Sequence, residues 1–235
     1  MRTVAVVQAR MGSNRFPGKV MSDLAGKPLI DWVLSRVGRS ALVDQLVLAT
    51  TDNSADDPLA QYASGMGVPV YRGDEYDVLG RVASAAHEAN ADLVVRVCAD
   101  NPFVDPGEID RLIDFYCQCH SDYACNHQDR LGSGYPDGIG AEILSFSLLK
   151  YINVNATDPH QREHVTLYLW DNADQFSLSS VPVPPELTGS TLSFDVDTPT
   201  DLVRLEAFLL GTSLKMTATA APIVHEAVSS DHWPI

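Results

Sequence analysis

The sequence predicts an α/β fold built on a mostly parallel β-sheet. Short apolar, β-branched runs alternate with amphipathic helical segments through the first half of the chain, and their spacing fits right-handed βαβ units. The 235 residues, 45% of them apolar, are enough for one domain with its own core. In such a sheet, ligands bind beyond the carboxyl ends of the strands, so the loops that follow the strands indicate the function.

Each element predicted in the first half has its own local signal. Strands are predicted where apolar residues run together, and helices where apolar residues recur every three or four positions after a capping residue. The predicted strands are residues 4–7, 45–50, 68–71, 92–97 and 122–125. The predicted helices are residues 28–39, 54–64, 77–90 and 106–120, with Asp77 as the cap of the third and Asp105 as the cap of the last.

The alternating pattern becomes looser after residue 126. Glycine and proline are concentrated over residues 132–140, which predicts turns and a hairpin. Helices are then predicted at 145–152 and 159–172, and strands at 176–181 and 192–196. Thr198 followed by Pro199 predicts the start of a further helix that ends near residue 210.

The charge distribution predicts a small anionic ligand near the N-terminus. The formal net charge is −15, yet residues 1–40 carry seven basic and two acidic side chains, so they contribute +5 and the remainder −20. Nucleic-acid-binding proteins normally show a basic surface, and this composition argues against one. No apolar run approaches the roughly 18 residues of a membrane helix, and the N-terminus has no signal-peptide core. We therefore expect a cytoplasmic protein without a membrane or nucleic-acid partner.

The segment QARMGSNRFPGK, residues 8–19, follows the first predicted strand and is typical of a triphosphate-binding loop. Gly12 and Gly18 allow a ligand to approach the backbone closely, and Ser13 offers a hydroxyl donor for phosphate oxygens. The segment matches neither the Walker pattern nor G-x-G-x-x-G. An ordinary surface loop is the alternative, which the position directly after a strand disfavours. Three cations are spaced along the segment: Arg10, Arg15 and Lys19.

Acidic residues in two later segments are candidates for a Mg²⁺ site. Asp100 follows the fourth predicted strand, while Asp195 and Asp197 alternate along the last one and so share a face. Mg²⁺ needs only one or two carboxylates when phosphates supply its other ligands. The alternative for both segments is a turn or a helix entry, where aspartate is common.

Candidates for contacts to a second substrate lie on predicted helices. Arg81 falls one turn into the helix at 77–90, from where its charge can face an acidic acceptor. Arg162 and His164 are candidates for contacts to the acceptor or to a partner chain, and a solvated helix face is an equal alternative. The pattern C-x-C-H-x4-C-x-H over residues 117–127 does not match the usual zinc sites.

Together these segments resemble the cytidylyltransferase superfamily that includes CMP-KDO and CMP-sialic acid synthetases, and most of all its spore-coat polysaccharide biosynthesis branch. The resemblance implies a Rossmann-like nucleotidyltransferase fold, with residues 1–235 as one domain and a dimerisation insertion at about residues 127–190. The matching stretches occur in family order over about residues 4–203: VVQARMGSNRFPGKVM, LATTDN, GDEYDVLGR, VVRVCADNPFVDP, DYACN, YPDGIGAE, REHVT and FDVDTPTDL.

The resemblance also implies roles for individual residues. The family's magnesium-binding acids fall on Asp100 and Asp197, and its cytosine contacts fall on the Ala9–Arg10 backbone and on the loop at Thr51 and Asp52. Ala99-Asp100-Asn101-Pro102 stands where KDO synthetases carry Gly-Asp-Glu-Pro, so the second acid is missing and the acceptor stays open. The family's phosphate loop falls on Arg10, Ser13, Arg15 and Lys19.

The function implied is transfer of CMP from CTP to a small acidic acceptor, either a sugar acid, a phosphonate or a phosphate, with release of pyrophosphate. Mg²⁺ is the expected cofactor, Lys19, Arg15 and Asp100 are the expected catalytic residues, and a homodimer is expected. The main alternative is a metal-dependent glycosyltransferase of the GT-A type, because Asp195-Val196-Asp197 is a D-x-D motif. A non-catalytic nucleotide-binding scaffold is a third hypothesis.

Overall fold

The computed structural model describes residues 1–127, 129–188, 191–229 and 233. The strands are β1 (Thr3–Gln8), β2 (Asp23–Leu24), β3 (Lys27–Pro28), β4 (Gln45–Thr51), β5 (Val70–Gly73), β6 (Leu93–Cys98), β7 (Tyr123–Cys125), β8 (Glu142–Ser145) and β9 (Leu178–Ser180). The helices are α1 (Leu29–Val37), α2 (Asp57–Gly65), α3 (Val78–Glu88), α4 (Pro106–Gln118), α5 (Phe146–Asn155), α6 (Pro159–Glu163), α7 (Leu167–Asp171), α8 (Pro199–Gly211) and α9 (Ala220–Ser229). Short 3-10 turns occupy Lys19–Met21, Ser54–Asp56, Asp129–Leu131 and Pro185–Leu187.

Seven strands form one sheet in the order β5-β4-β1-β6-β8-β7-β9, and β2 and β3 form a separate two-stranded ribbon. The pairs β4–β5, β1–β4, β1–β6 and β7–β9 are parallel, whereas β8 is antiparallel to both neighbours. The mostly parallel sheet is therefore confirmed. Gln8 at the end of β1 lies beside Ala49 of β4 and Cys98 of β6, so the loops that follow these three strands open at the same edge.

Side chains alternate between the two faces of the central strands, and each face is covered by helices. Ala5 and Val7 of β1 pack into the larger core with α1, α4 and α8, whereas Val4 and Val6 pack into a second core with α3 and α5. Phe103 lies at the centre of the larger core, where its ring meets those of Trp32, Phe194 and Phe208 edge-on. Fully burying one such side chain contributes about 1.5–3 kcal/mol, so these layers hold the binding edge in place.

The predicted helix caps are confirmed at three helices. Asp77 accepts a hydrogen bond from the Gly80 amide at the start of α3, and Asp105 accepts from two amides at the start of α4. Thr198 forms a capping box with Asp201 at the start of α8. These are the local contacts that cap residues make with the free amides of a first helical turn.

The prediction of one helix over residues 159–172 is wrong. The chain forms α6 and α7, separated by His164–Thr166, because the Thr166 hydroxyl donates to the buried carboxylate of Glu142 at 2.9 Å and Val165 is fully buried. The break exposes His164 at the edge of the sheet.

The predicted hairpin at 132–140 and the predicted strand at 192–196 are also wrong for the residues described there. The two segments run alongside each other and share a single bridge between Asp137 and Ser193. At Gly138, where φ is +85°, a Cβ atom would lie 2.7 Å from the Asp195 amide nitrogen, so only glycine allows this approach. β8, which follows, was not predicted as a strand.

The predicted insertion at about residues 127–190 contributes β8 and β9 to the central sheet. Its helices α5 and α7 cover one face of that sheet together with α3. None of the helices within the described ranges has both the length and the apolar character needed to cross a bilayer.

Candidate active site

Two adjoining cavities open at the carboxyl edge of the sheet. The first, which we call the loop cavity, has a volume of about 370 Å³ and is bordered by the phosphate-loop residues, among them Ala9, Arg10, Ser13, Arg15 and Lys19. The second, which we call the side cavity, has a volume of about 550 Å³ and lies toward β8 and α7. The residues common to both walls are Arg96, Cys98, Asp100, His164 and Asp197.

Backbone contacts fold the phosphate loop back on itself. The Met11 carbonyl accepts hydrogen bonds from the Ser13 and Gly18 amides, both at 2.9 Å, and Gly18 has φ of +75°, which favours glycine. The Met11 amide donates to Asp56 at 2.7 Å, and the same carboxylate accepts from the Thr51 amide at 3.1 Å. The loop is thereby attached to the end of β4.

The structure brings Lys19, Asp100 and Asp197 together although they are far apart in the sequence. The Lys19 ammonium donates to Asp100 Oδ2 at 3.0 Å, to the Val196 carbonyl at 2.7 Å and to Asp197 Oδ1 at 3.3 Å. Arg15 forms an ion pair with the same Asp197 oxygen at 2.8 Å. All of the predicted catalytic and metal-binding residues therefore meet at the junction of the two cavities.

The donor set at this junction fits a divalent cation. Asp100 and Asp197 approach one cationic centre, the Lys19 ammonium, and so converge on one position that a positive ion can share. Carboxylate oxygens are the ligands that Mg²⁺ prefers, and a bound triphosphate supplies others. Asp137 and Asp195 lie nearby in the side cavity, where burial and then the Asp195 charge raise the pKa of Asp137 above its usual range. The negative field here favours a cation.

Arg81 lies with the loop cations in the loop cavity and does not border the side cavity. One guanidinium nitrogen donates to the Asp74 carbonyl at 2.6 Å and to the Glu75 carbonyl at 3.0 Å. Arg10 donates to the same Glu75 carbonyl at 3.2 Å. Burial and the charge of Arg10 lower the pKa of Arg81, and within the described chain its buried Nε has no hydrogen-bond partner. This position suits a nucleotide contact better than the predicted acceptor contact.

Arg162 and His164 occupy different surroundings although both were predicted to contact the acceptor. Arg162 borders neither cavity, since its guanidinium binds both oxygens of Asp77, at 2.8 and 2.6 Å, and the Asn153 carbonyl at 2.6 Å. We therefore do not retain Arg162 in the proposed acceptor site. His164 borders both cavities, and burial and the neighbouring His160 lower the pKa of His164 below its ordinary value.

The predicted nucleotide contacts at Thr51 and Asp52 lie outside both cavities. Thr51 is buried and its hydroxyl donates to Asp56, whereas Asp52 is exposed. The Ala9 amide donates to the Ala49 carbonyl at 3.2 Å within the sheet edge. At Gly12 a Cβ atom would lie 3.1 Å from the Glu75 carboxylate, so the loop passes close beneath the β5–α3 connection.

An ion pair between Arg96, which borders both cavities, and Glu142, which borders the side cavity, was not predicted as part of the site. The two residues face each other across the β6–β8 ladder. Burial on its own raises a carboxyl pKa, but Arg96, His127 and the hydroxyl of Tyr123 hold the pKa of Glu142 at about 2. A sequence signal was available, because an arginine inside the apolar run of β6 requires a buried anion.

The outer wall of the side cavity combines aromatic, cationic and hydroxyl-bearing side chains. Arg130 lies over the Trp170 ring, 5.5 Å from its centre, and Tyr135 borders the same cavity. The Tyr135 hydroxyl donates to Glu108 at 2.8 Å. This wall offers fixed positive charge and several hydrogen-bonding groups to a second ligand.

Comparison with known proteins agrees with this geometry. A family model for cytidylyltransferases matches residues 4–217. The spore coat polysaccharide biosynthesis protein SpsF of Bacillus subtilis is 31% identical over 224 residues, which cover 93% of this chain and 91% of that protein.

Solved structures give the same result at the level of the fold. A cytidylyltransferase from Leptospira borgpetersenii superposes with a TM-score of 0.88 at 27% identity, over 97% of this chain and 94% of that one. A CMP-2-keto-3-deoxy-manno-octonic acid synthetase in complex with CTP superposes with a TM-score of 0.67 at 21% identity, over 91% of this chain and all of that one. The predicted Rossmann-like nucleotidyltransferase fold is confirmed. The chain belongs to the cytidylyltransferase family, whose members are nucleotidyltransferase enzymes.

Proposed function

We propose that this enzyme transfers CMP from CTP to a sugar acid and releases pyrophosphate, with Mg²⁺ as its cofactor. The observation that supports this best is the meeting of two cavities at Lys19, Asp100 and Asp197. A loop rich in cations borders one cavity, and a wall suited to a polar, anionic molecule borders the other. Two substrates bound in these cavities face each other across the acidic pair.

The triphosphate is proposed to occupy the loop cavity. Arg10, Arg15 and Lys19 provide fixed positive charge there, and the exposed loop amides add hydrogen-bond donors. Arg81 borders the same cavity and adds a further fixed positive charge. The cytosine contacts at the Ala9–Arg10 backbone fit this placement, whereas those at Thr51 and Asp52 require a change in the loop.

The side cavity is proposed to bind the acceptor, and its composition favours a sugar acid over a simple phosphate. Arg130 attracts a carboxylate, which arginine binds in a two-point geometry, and the imidazoles of the wall add hydrogen-bonding groups. Asp137 and Asp195 are hydrogen-bond acceptors suited to sugar hydroxyls. The many hydrogen-bonding groups that border this cavity suit the several hydroxyls of a sugar acid, whereas a phosphate ion would use few of them.

The reaction consists of attack by an acceptor oxygen on the α-phosphorus of CTP. A new P–O bond forms as the bond to the β-phosphate oxygen breaks, and pyrophosphate departs. Asp100 and Asp197 would hold Mg²⁺, which when bound would offset negative charge on the phosphates. Lys19 and Arg15, which border the same cavity, would stabilise the charge that develops on the leaving group.

A homodimer that uses the region at about residues 127–190 remains part of the proposal. Within that region, α5 exposes Tyr151 and Val154 to solvent, with 46% and 78% of their surfaces accessible. Exposed apolar side chains beside each other are typical of protein interfaces. Light scattering after size exclusion measures the oligomeric state, and a Val154→Glu variant that elutes like the wild-type protein would argue against this face.

Pyrophosphate release tests the proposed function directly. Purified protein is mixed with Mg²⁺, each of the four nucleoside triphosphates and a panel of sugar acids, phosphonates and sugar phosphates. We expect release with CTP and a sugar acid, loss of release in Lys19→Ala and Asp100→Asn, and wild-type rates in His120→Asn, which changes an exposed residue outside both cavities.

Two outcomes would contradict the proposal. Unchanged turnover in both Lys19→Ala and Asp100→Asn would show that the junction of the two cavities is not the catalytic site. Sugar transfer from a nucleotide sugar without pyrophosphate release would favour the glycosyltransferase, for which Asp195-Val196-Asp197 is the motif.

A further inference from the structure

A second cluster of metal-ligating side chains lies at the rim of the two cavities, apart from the Asp100–Asp197 pair. His160, Glu163 and His164 each present one ligand atom, and these atoms all lie within 4.8 Å of one another. Two residues belong to α6 and the third is the residue that ends it. Positions separated by three and four residues share one face of a helical turn, which explains the convergence. We infer that these side chains form a binding site for a zinc-class divalent ion.

The donor set distinguishes this cluster from the proposed magnesium site. Two imidazoles and one carboxylate suit Zn²⁺, Co²⁺ or Ni²⁺, whereas Mg²⁺ prefers oxygen ligands. Zinc bonds of about 2.0–2.2 Å require the ligand atoms to approach somewhat more closely than they do here. All three side chains are exposed, so small rotations about their side-chain bonds close that gap without disturbing the core.

The backbone that carries the three ligands is held firmly. Asp158 caps α6 by accepting a hydrogen bond from the His160 amide at 2.7 Å. Arg162, which lies between two of the ligands, binds both oxygens of Asp77 and the Asn153 carbonyl. Arg162 has no role in the proposed transfer of CMP, but these contacts fix the backbone that carries the three ligands. A site whose backbone is fixed loses less conformational freedom when the ion binds.

The location links the inferred ion to both cavities. His164 borders both of them and His160 borders the side cavity. Glu163 also lies 3.6 Å from a guanidinium nitrogen of Arg10 in the phosphate loop. Three protein ligands leave at least one coordination position open, as in zinc sites that bind a water or a substrate. An ion held here therefore draws Glu163 away from Arg10 and stands at the passage between the cavities.

Cobalt absorption tests the site without nucleotide or acceptor, so the result is independent of CMP transfer. Metal-free protein is titrated with Co²⁺ in the presence of excess Mg²⁺, which is added to occupy the Asp100–Asp197 site. The visible d–d absorption bands of bound Co²⁺ are recorded, and Zn²⁺ is then added to displace the Co²⁺. We expect bands from one bound ion, with affinity reduced at least about tenfold in His160→Ala and in Glu163→Gln. His120→Asn changes an exposed histidine that follows α4 and has a positive φ, which asparagine also tolerates, and this variant is expected to bind as the wild type does.

Several outcomes would overturn the inference. One is a wild-type protein that shows only the weak spectrum of hydrated Co²⁺. Another is binding that survives both ligand changes, which would assign the ion to a different site. Thermal unfolding of each variant is recorded in parallel, and because the substituted side chains are exposed we expect transitions close to that of the wild type. If the single variants unfold early, the more conservative His160→Gln is titrated instead, and wild-type cobalt affinity in it would also overturn the inference.

Discussion

The buried ion pair between Arg96 and Glu142 gives a prediction whose size follows from the structure. Glu142 is fully buried on β8, opposite Arg96 on β6, and also accepts hydrogen bonds from Tyr123 at 2.8 Å and Thr166 at 2.9 Å. The substitution Glu142→Gln keeps the shape and the hydrogen-bond acceptor but removes the charge. Arg96 then remains in the interior without its anion, which is among the most destabilising changes a single substitution makes.

Two estimates of the unfolding free energy that Glu142→Gln removes agree with each other. Removing one partner of a buried pair costs about 3–5 kcal/mol in the free energy of unfolding. The fall in the pKa of Glu142 from 4.5 to about 2 corresponds to about 3 kcal/mol at 1.36 kcal/mol per pKa unit. For a chain of this size, about 3 kcal/mol lowers Tm by roughly 6–12 °C.

The pH dependence has a definite sign. A carboxyl group whose pKa is lowered by folding stabilises the protein fully above its ordinary pKa and loses that contribution as the pH falls toward the folded value. The difference in unfolding free energy between wild type and Glu142→Gln should therefore be constant from pH 7 to about pH 5 and shrink between about 4.5 and 2. Denaturant unfolding at a series of pH values, followed by circular dichroism, measures it.

A double variant separates charge from packing. Arg96→Met with Glu142→Gln removes both charges, so we expect it to be more stable than Glu142→Gln alone, since an apolar replacement for a buried pair is close to neutral. The reasoning fails if Glu142→Gln melts within about 2 °C of the wild type. It also fails if the double variant is less stable than the single one.

Three further predictions concern the cavities and their support. Lys19→Met should tighten the binding of Mg²⁺ alone about tenfold, because the ion no longer displaces the charged hydrogen bonds of the Lys19 ammonium. CTP turnover should fall in the same variant. An unchanged Mg²⁺ affinity in calorimetry would argue against a position shared by the ion and the ammonium group. Asp137→Asn should raise KM for the sugar acid about tenfold through a lost hydrogen bond to the substrate. An equal rise in KM for CTP, measured by steady-state kinetics, would argue against the side cavity as the acceptor site. Arg162→Ala should lower Tm by roughly 4–8 °C, from about 2 kcal/mol of lost hydrogen bonding, and should leave KM unchanged for both substrates. A rise in KM for the acceptor alone would indicate that Arg162 contacts the acceptor.

Local signals predicted most of the elements that build the binding edge. The strands β1, β4 and β6 follow from apolar runs, and the starts of α3, α4 and α8 follow from Asp77, Asp105 and Thr198. A cap or an apolar stripe acts within one or two turns of the chain, so a short stretch of sequence contains the whole interaction. The family motifs extend this further, because they place Lys19, Asp100 and Asp197 in one site before any contact is known.

Predictions failed where a distant contact outweighs local preference. The segment 159–172 has a helical pattern, but Thr166 reaches Glu142 and divides it. The segment 192–196 has a strand pattern, yet it forms only the single bridge between Ser193 and Asp137. The loop that contains Gly138 lies directly against this segment, at a distance that only glycine allows. Neither contact leaves a trace in the neighbouring sequence, since its partner lies tens of residues away.

The sequence by itself determined the parallel sheet, the cationic loop after β1 and the acids that accompany it, because each depends on residue types at short spacing or on motif order. The tertiary structure decided which of these residues share a cavity. It assigned Arg81 to the loop cavity and Arg162 to a structural clamp, and it paired Arg96, which borders both cavities, with Glu142 in the side cavity. These assignments depend on distances across the sheet and between loops, which the pairing of strands and the packing of helices set only after the whole chain has folded.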